Sequence, residues 1–485
     1  MALHTPLANN SATPPGSPGE SSRLSASPEN AGALDLESAS VRLSGWGRFP
    51  VESCRIYQPS GAADLSNLIA SGRGQTYIAR GLGRSYGDAA LNQGQTVVSL
   101  LNLNRILDFD LSTGILQCEG GLSLDETIRY AVPRGFFVEV TPGTRQVTVG
   151  GAIAADVHGK NHHQAGAFSN SLLDLDLLTA EGEYLTCSRE LHPDVFWATV
   201  GGMGLTGFIT RARIRLRRIE SAYLLVRMEK VPTLNDAFAA LEAGDRQHEY
   251  SAAWVDCISS QLGRALVMLG RHATAAELDP KINSPLALNE RRRWGVSFVL
   301  PVRPLRQWTV QIFNAAYFRS KPAASERLTQ FDPFFYPLDS VQNWNRLYGR
   351  AGFVQYQIAV PHAAAATLLT MLLQRIRQSG RAAFLGVLKR FGPGGAGMLS
   401  FPMEGATLAI DLPADPELPE FFTTLDEMVV DHGGRVYLAK DAVLGSRLFE
   451  RMYPRLDEFR QVKRRLDPRG RISSSLARRL KIVDA

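Results

Sequence analysis

Arg80-Gly-Leu-Gly-Arg-Ser-Tyr-Gly-Asp-Ala-Ala90 is a glycine turn carrying two arginines, and it follows Gln75-Thr-Tyr-Ile-Ala79, an apolar run with the composition of a strand. Glycines directly after a strand let the backbone approach a pyrophosphate closely, and Arg80 and Arg84 add positive charge there. The spacing is not Gly-x-Gly-x-x-Gly and no long helical pattern follows, which argues against a doubly wound dinucleotide fold. A second small-residue run comprises Pro142-Gly143-Thr144 and then Thr148-Val149-Gly150-Gly151-Ala-Ile-Ala-Ala155-Asp156-Val157-His158. It reads as strand and turn, and nothing bulky intrudes before His158, so backbone amides could approach a planar or anionic ligand.

The second run continues into His158-Gly-Lys160-Asn-His162-His163. Three histidines could bind a metal, but no Asp, Glu or Cys stands at ligand spacing and Lys160 lies among them, so no metal site is expected. His162 and His163 also fit a structural role, whereas His158 and Lys160 read as functional. The four cysteines, Cys54, Cys118, Cys187 and Cys257, are scattered without a CxxC pair, which indicates neither zinc nor a disulfide framework.

A chain of 485 residues, 45% hydrophobic and 21% charged, is expected to form two soluble globular domains able to bury a large cofactor. Its net charge of +6 is concentrated at Arg211 to Arg218, Arg291-Arg-Arg293 and Arg460 to Lys481. No aromatic residues interleave these charges, so nucleic acid is not the expected partner; a phosphorylated substrate or an anionic lipid headgroup fits them. Residues 1–40 are rich in Ser, Pro, Ala, Asn and Gly and read as a disordered leader without the basic and apolar regions of a secretory signal. No run approaches the roughly 18 apolar residues of a membrane span. The expected location is the cytoplasm or the periphery of the inner membrane, with the periplasmic face left open.

Strands are expected at Val97 to Leu100, Gly114 to Glu119, Leu173 to Leu178 and Phe208 to Leu216, the last alternating apolar and basic residues like a half-exposed strand. Helices are expected at Asp64 to Ser71, Ser123 to Arg134 and Asp194 to Val200, with Ser123 and Glu126 spaced as a capping box. Beyond Ser221 the pattern gives helices at Thr233 to Leu241 and Ala364 to Ser379. Strands follow at Ala265 to Leu269, Val354 to Val360, Phe384 to Leu388 and Thr407 to Leu412. Phe331-Asp-Pro-Phe-Phe-Tyr336 is an aromatic cluster suited to core packing or to a wall beside a cofactor. Near the end, Gly433-Gly-Arg-Val-Tyr437-Leu-Ala-Lys440-Asp441 gives a turn, a short strand and a charged pair. The helical stretches Arg447 to Tyr453 and Arg455 to Arg465 come next. The mixture predicts an α+β architecture.

These pieces together resemble the FAD-linked oxidases of the vanillyl-alcohol oxidase and p-cresol methylhydroxylase (PCMH) superfamily, and more narrowly the decaprenylphosphoryl-β-D-ribose 2-oxidase family. The resemblance is carried by Arg80 to Asp88, Thr141-Pro-Gly-Thr144, His158 to His163, Phe353-Val-Gln-Tyr-Gln357, Phe384 to Lys389 with Phe391-Gly-Pro-Gly394, Leu399-Ser-Phe-Pro402, Tyr437 to Asp441 and Met452 to Asp457. It implies a two-domain PCMH-type FAD-binding fold with an inserted antiparallel-sheet substrate domain. The FAD domain would take residues 41–219 and 433–485, and the substrate domain 220–432.

The resemblance further implies that FAD lies against Ala79, Arg80, Gly81, Leu82, Gly83, Arg84, Ser85, Tyr86, Gly87, Asp88, Gly143, Thr148, Val149, Gly150, Gly151, Ala155, Asp156, Val157, His158, Gly207, Ile209 and Tyr437. Arg84 stands where many relatives carry the histidine that links the flavin covalently, so the FAD is expected to be noncovalent. Lys440 matches the family's essential lysine and His158 joins it as a catalytic candidate. Lys440 would act as a base if its pKa fell, or as a stabilising cation if it did not. Tyr86, Lys160, Gln357, Lys389, Phe335 and Phe391 match substrate-contacting positions, and the two lysines suit a phosphate. The implied reaction is oxidation of the ribose 2-hydroxyl of a polyprenyl-phosphoryl-β-D-ribose to the 2-keto compound. This is the first half of epimerisation to the arabinose donor of cell-wall arabinan, completed by a short-chain dehydrogenase/reductase partner. Ala409 replaces a cysteine of mycobacterial members, and a family tyrosine falls on Phe335, one position before Tyr336. A generic sugar, alcohol or aldonolactone oxidase using dioxygen, or a noncatalytic nucleotide- or headgroup-binding module, are the other readings.

Overall fold

The strand that delivers the first glycine turn, Tyr77–Arg80, lies in a four-stranded sheet ordered Val41–Ser44, Val51–Tyr57, Thr96–Ser99, Tyr77–Arg80. The computed structural model describes residues 40–71, 75–288, 294–299 and 305–483. All but Ser40 of the leader, and the basic run Arg291–Arg293, lie outside them. Tyr77–Arg80 and Thr96–Ser99 are parallel, so the chain crosses over between them and the glycine turn is part of that crossover. On the other flank, the Tyr77 amide donates to the Arg471 carbonyl and the Ser473 amide to the Tyr77 carbonyl, at 2.7 and 2.9 Å. The end of the chain thereby covers a sheet edge that its beginning leaves open.

A six-stranded antiparallel sheet follows, ordered Ile106–Asp110, Ile115–Glu119, Phe208–Arg218, Leu172–Leu178, Tyr184–Ser188, with Phe136–Val138 pairing the far end of Phe208–Arg218. The alternation in Phe208–Arg218 decides its orientation: Ala212, Ile214 and Leu216 are buried, while Arg211 and Arg213 reach Asp174 across the neighbouring strand. The Ser123–Glu126 capping box is present, with the Glu126 amide donating to Ser123 Oγ at 3.1 Å and the Ser123 amide to Glu126 Oε2 at 2.9 Å.

The third sheet has eight antiparallel strands, ordered Ala324–Gln330, Tyr223–Val231, Ala265–His272, Tyr250–Val255, Gly386–Phe391, Gly405–Pro413, Phe353–Val360, Arg435–Val436. It is inserted between the first two sheets and the segment that closes the four-stranded one, giving an α+β fold of the PCMH type. Helices Leu234–Asp245, His362–Gln378 and Leu418–Asp431 pack on it. Val354, Tyr356, Ile358 and Val360 face that helical layer, where the Tyr356 hydroxyl donates to Asp426 at 2.8 Å. By the period of two, Gln355 and Gln357 face the opposite way.

Three local expectations change. The glycine-rich run read as strand and turn is helical over Val149–Ala154, started by Thr148, whose hydroxyl accepts from the Gly151 amide. His162 and His163 open a short helix, His162–Ala165, rather than a turn. The strand expected from Phe384 begins at Gly386 and runs on to Phe391, which brings Lys389 inside the sheet.

Candidate active site

The two glycine-rich segments meet. A Cβ on Gly81 would overlap the Thr148 side chain, and a Cβ on Gly87 would overlap the Asp441 carbonyl, so the first turn is pressed between the second run and the lysine-bearing segment. Gly83 has φ +65°, which glycine adopts without strain. Among the described residues, the amides of Gly81, Leu82, Gly83, Arg84 and Ser85 donate no hydrogen bond to the protein. Five consecutive amides without protein acceptors, in a crossover beside a strand end, suit an anion such as a dinucleotide diphosphate. A Cβ on Gly143 would meet open space, so the second run also keeps backbone accessible.

The arginines of this turn have different duties. Arg80 donates to the carbonyls of Ala90 and Ser44 at 3.1 and 2.7 Å and so braces the turn from behind. Arg84 stacks its guanidinium 4.0 Å from the Trp46 ring centroid, with its Nε buried and unpartnered. Burial lowers the pKa of Arg84 and Asp339 opposes that effect. Asp339 also accepts from the Arg145 amide at 3.0 Å.

The sheet register supplies the other wall. Gln357 pairs with Ala409, Gln355 with Asp411 and Lys389 with Thr407, so Gln355, Gln357, Ala409, Asp411, Thr407 and Lys389 share one face. On that face Gln357 Nε2 lies 3.0 Å from His158 Nε2 and 3.2 Å from Thr407 Oγ1. His158 is wedged among Phe391, Phe401 and Tyr437, at ring-centroid distances of 4.8, 5.6 and 5.4 Å. Tyr437 donates from its hydroxyl to the Ala155 carbonyl at 2.9 Å, and its amide bonds the Gln357 carbonyl, which ties the lysine-bearing turn to both halves of the site.

Lys440 follows three residues later, with Nζ 3.7 Å from the centroid of the Tyr86 ring. Among the described residues neither Lys440, Lys389 nor Lys160 forms an ion pair. Burial holds the Lys440 ammonium down to about 7; Lys389 pushes the same way and Asp411 opposes them. Burial, assisted by Lys389, brings Lys160 to about 7, and burial alone brings Lys389 to about 8. His158 is held well below the usual imidazole range by burial and then by Lys389, His162 and Lys440, so it is neutral. Asp411, fully enclosed, accepts from Gln355 at 2.6 Å and is raised by burial to about 7. The result is a wall of amines whose pKa values burial brings down to about 7 for Lys440 and Lys160 and about 8 for Lys389.

Lys440, His158, Tyr86, Gln357 and Lys389 thus converge, and Phe391 packs behind His158 and His162. Lys160 donates to the Phe334 carbonyl and lies 4.2 Å from that ring, while Lys389 acts on it electrostatically. Other expected contacts are engaged by the protein itself. Phe335, expected to touch substrate, is 2% exposed, stacked on Phe137 and edge-on to Tyr250. The Tyr336 hydroxyl is 2.7 Å from Thr141 Oγ1. Asp88 is clamped by Arg479, and Asp156, with φ +40°, accepts from Ser400 Oγ and the Ser169 amide. Both carboxylates shape the cradle rather than face a ligand. Gly207 is squeezed against Leu178, and Val149 and Ile209 are buried. Gln355, Asp411, Thr407 and Trp46 were not singled out in the sequence; the alternation around Gln357 would have found Gln355.

A cradle of free amides beside a face of desolvated amines is what a flavoenzyme needs to bind its cofactor and to move a proton next to it. Residues 55–188 match the FAD binding domain, and residues 343–480 match the D-arabinono-1,4-lactone oxidase family. Decaprenylphosphoryl-beta-D-ribose oxidase of Mycolicibacterium smegmatis is 39% identical over 93% of this chain and 99% of its own. L-gulono-1,4-lactone dehydrogenase of Mycobacterium tuberculosis is 22% identical over 87% of this chain and 96% of its own. Cytokinin dehydrogenase 2 of Arabidopsis thaliana is 32% identical over 33% of this chain and 32% of its own. The chain is an FAD-dependent oxidoreductase, and it belongs to the decaprenylphosphoryl-ribose oxidase family of FAD-linked oxidases.

Proposed function

We propose that this enzyme oxidises the 2-hydroxyl of a polyprenyl-phosphoryl-β-D-ribose to the 2-keto compound. The observation that carries this reading is the convergence of Lys440, Lys389, His158 and Gln357 on one wall, in a chain similar over nearly its whole length to an oxidase of decaprenylphosphoryl ribose. Bound FAD supplies the two-electron acceptor. Gly81 to Ser85, whose amides have no protein acceptor, would hold its diphosphate, and Arg84, standing where many relatives carry a linking histidine, would leave it noncovalent.

Lys440 takes the hydroxyl proton at Nζ. Its pKa near 7 leaves much of the amine neutral at physiological pH, and burial supplies that property at the site itself. Lys389 and Lys160 receive the phosphate; its negative charge favours their protonated forms, so binding neutralises two charges that the empty cleft disfavours. His158, neutral and fixed by Gln357 and three aromatic rings, orients the sugar. The keto product passes to a separate short-chain reductase, and the lipid substrate places the enzyme at a membrane periphery. Among the described residues no helix is long and apolar enough to cross a membrane.

The match of residues 343–480 to D-arabinono-1,4-lactone oxidase favours a second reading, oxidation of a free aldonolactone by dioxygen. Incubation with lipid-phosphoryl ribose and trapping with borodeuteride separates the two. Deuterium at carbon 2 with little peroxide is expected; rapid peroxide formation with a free lactone and no label in the lipid sugar would establish the alternative.

A further inference from the structure

Helix Gln307–Ser320 exposes large apolar side chains while it buries Asn314 beside the core residue Val310. Its packed face carries amides that donate into the body of the protein: Gln307 to the Arg377 carbonyl at 3.2 Å, Gln311 to the Ile258 carbonyl at 3.1 Å and Asn314 to Asp256 Oδ1 at 2.9 Å. Its outward face carries Trp308, Ile312 and, at its margin, Phe313, which are 59%, 63% and 48% exposed. A helix lying against water has the reverse arrangement. The bond between buried Asn314 and buried Asp256 opposes a rotation that would turn these apolar groups inward.

The charges this segment itself carries have one sign, although Asp415 and Glu417 line the hollow beside Arg306 and Gln307 at the helix start. No Asp or Glu occurs from Leu305 to Ser325, and this acid-free stretch extends back in the sequence to Arg291. Arg306 precedes the helix, Arg319 lies in its last turn on the same side as Trp308 and Ile312, and Lys321 follows it. Lys230 reaches in from the neighbouring strand, donating to the Arg319 carbonyl at 3.3 Å. Tryptophan and aliphatic side chains bordered by cations are the composition of a surface that enters the headgroup region of an anionic bilayer.

We propose that the outward face of Gln307–Ser320 docks on the surface of an anionic lipid bilayer. The placement suits this role. Tyr317 packs edge-on to Trp254 at 5.2 Å and Phe313 lies 5.3 Å from Phe384, so the helix is seated beside Tyr250–Val255, the strand that pairs with the one bearing Lys389. A bilayer held there would bring a lipid-linked sugar close to the cleft, and this part of the inference rests on the proposed substrate.

The test is flotation of the full-length holoenzyme with substrate-free vesicles, either phosphatidylglycerol mixed with phosphatidylcholine or phosphatidylcholine alone. The wild-type protein should float with the anionic vesicles, and W308S/I312S should lose roughly tenfold in partition. R306E/R319E should lose binding to the anionic vesicles while keeping the apolar face, which answers the objection that the first variant misfolds. Brominated lipid should quench tryptophan emission of the wild type and spare that of Trp308→Phe. Equal flotation of all variants, or a wild type that ignores vesicles but forms a dimer abolished by W308S/I312S, would overturn the proposal. Flavin reduction by lipid-phosphoryl ribose in detergent is measured separately, so loss of docking is not confused with a wrong substrate.

Discussion

Lys440 has the reactive position in this account because of what surrounds it, not because of its identity. A lysine in water is almost fully protonated at neutral pH, near pKa 10.4. Here burial lowers it to about 7, Lys389 acts in the same direction, and Asp411 limits the fall. The base is the neutral amine, so the rate of flavin reduction should rise as pH increases through about 7 and then level off. The sign for stability is also set: burial of the ammonium costs most below about 7, and the cost disappears as pH approaches the free-lysine value. Lys440→Ala should reduce the rate of flavin reduction by about 10²–10⁴-fold while FAD stays bound, as measured by stopped-flow absorbance. A variant that kept its rate and its pH profile would remove Lys440 from the chemistry. At this scale the sequence was informative about Lys440 and Lys389 through resemblance, but the direction of their pKa shifts required knowledge of what encloses them.

The elements explain why some features could be read and others could not. Phe208–Arg218 was legible because one face is buried, which forces period-two alternation. The Ser123 cap was legible because capping is local. Val149–Ala154 was not, since a helix of Gly, Ala, Val and Ile has no polar face to reveal its period. Gln307–Ser320 escaped because Gln311 and Asn314 face inward while Trp308 and Ile312 face outward, which blurs the pattern used to find helices. Asp411 required the register that places it opposite Gln355. Close contact between elements also yields a test. Gly87 is pressed on the carbonyl of Asp441, next to Lys440, so Gly87→Ala must separate the glycine turn from the lysine-bearing segment. Thermal unfolding should show a loss of more than about 2 kcal/mol, with weakened FAD retention; unchanged stability would mean that the two segments are not held together there.

Across the whole molecule, charge joins the first glycine motif to the C-terminal helix. Arg479 donates to Asp88 at 2.9 and 2.7 Å, to Asp441 at 2.9 Å and to the Leu444 carbonyl at 2.7 Å, joining the first motif, the lysine-bearing segment and the C-terminal helix. Asp88 and Asp441 are both buried, so Arg479→Ala would leave two carboxylates facing each other without a cation. The expected cost is about 3–5 kcal/mol, measurable by denaturant unfolding of the holoenzyme. A cost below about 1 kcal/mol would show that the clamp is dispensable. This contact spans most of the chain and has no local sequence signature. The inserted eight-stranded sheet brings Gln357 and Lys389 to the same cleft that the clamp closes, so the site exists only when the separate parts are assembled.

The central claim is that a lipid-linked ribose delivers its electrons to FAD in this cleft. An absorbance spectrum of the purified protein, recorded without oxygen before and after addition of polyprenyl-phosphoryl-β-D-ribose, tests it most directly. The protein should be yellow and should bleach with that substrate. A protein that remains yellow with it, yet bleaches with a free aldonolactone, would rule out the lipid-linked ribose as its substrate.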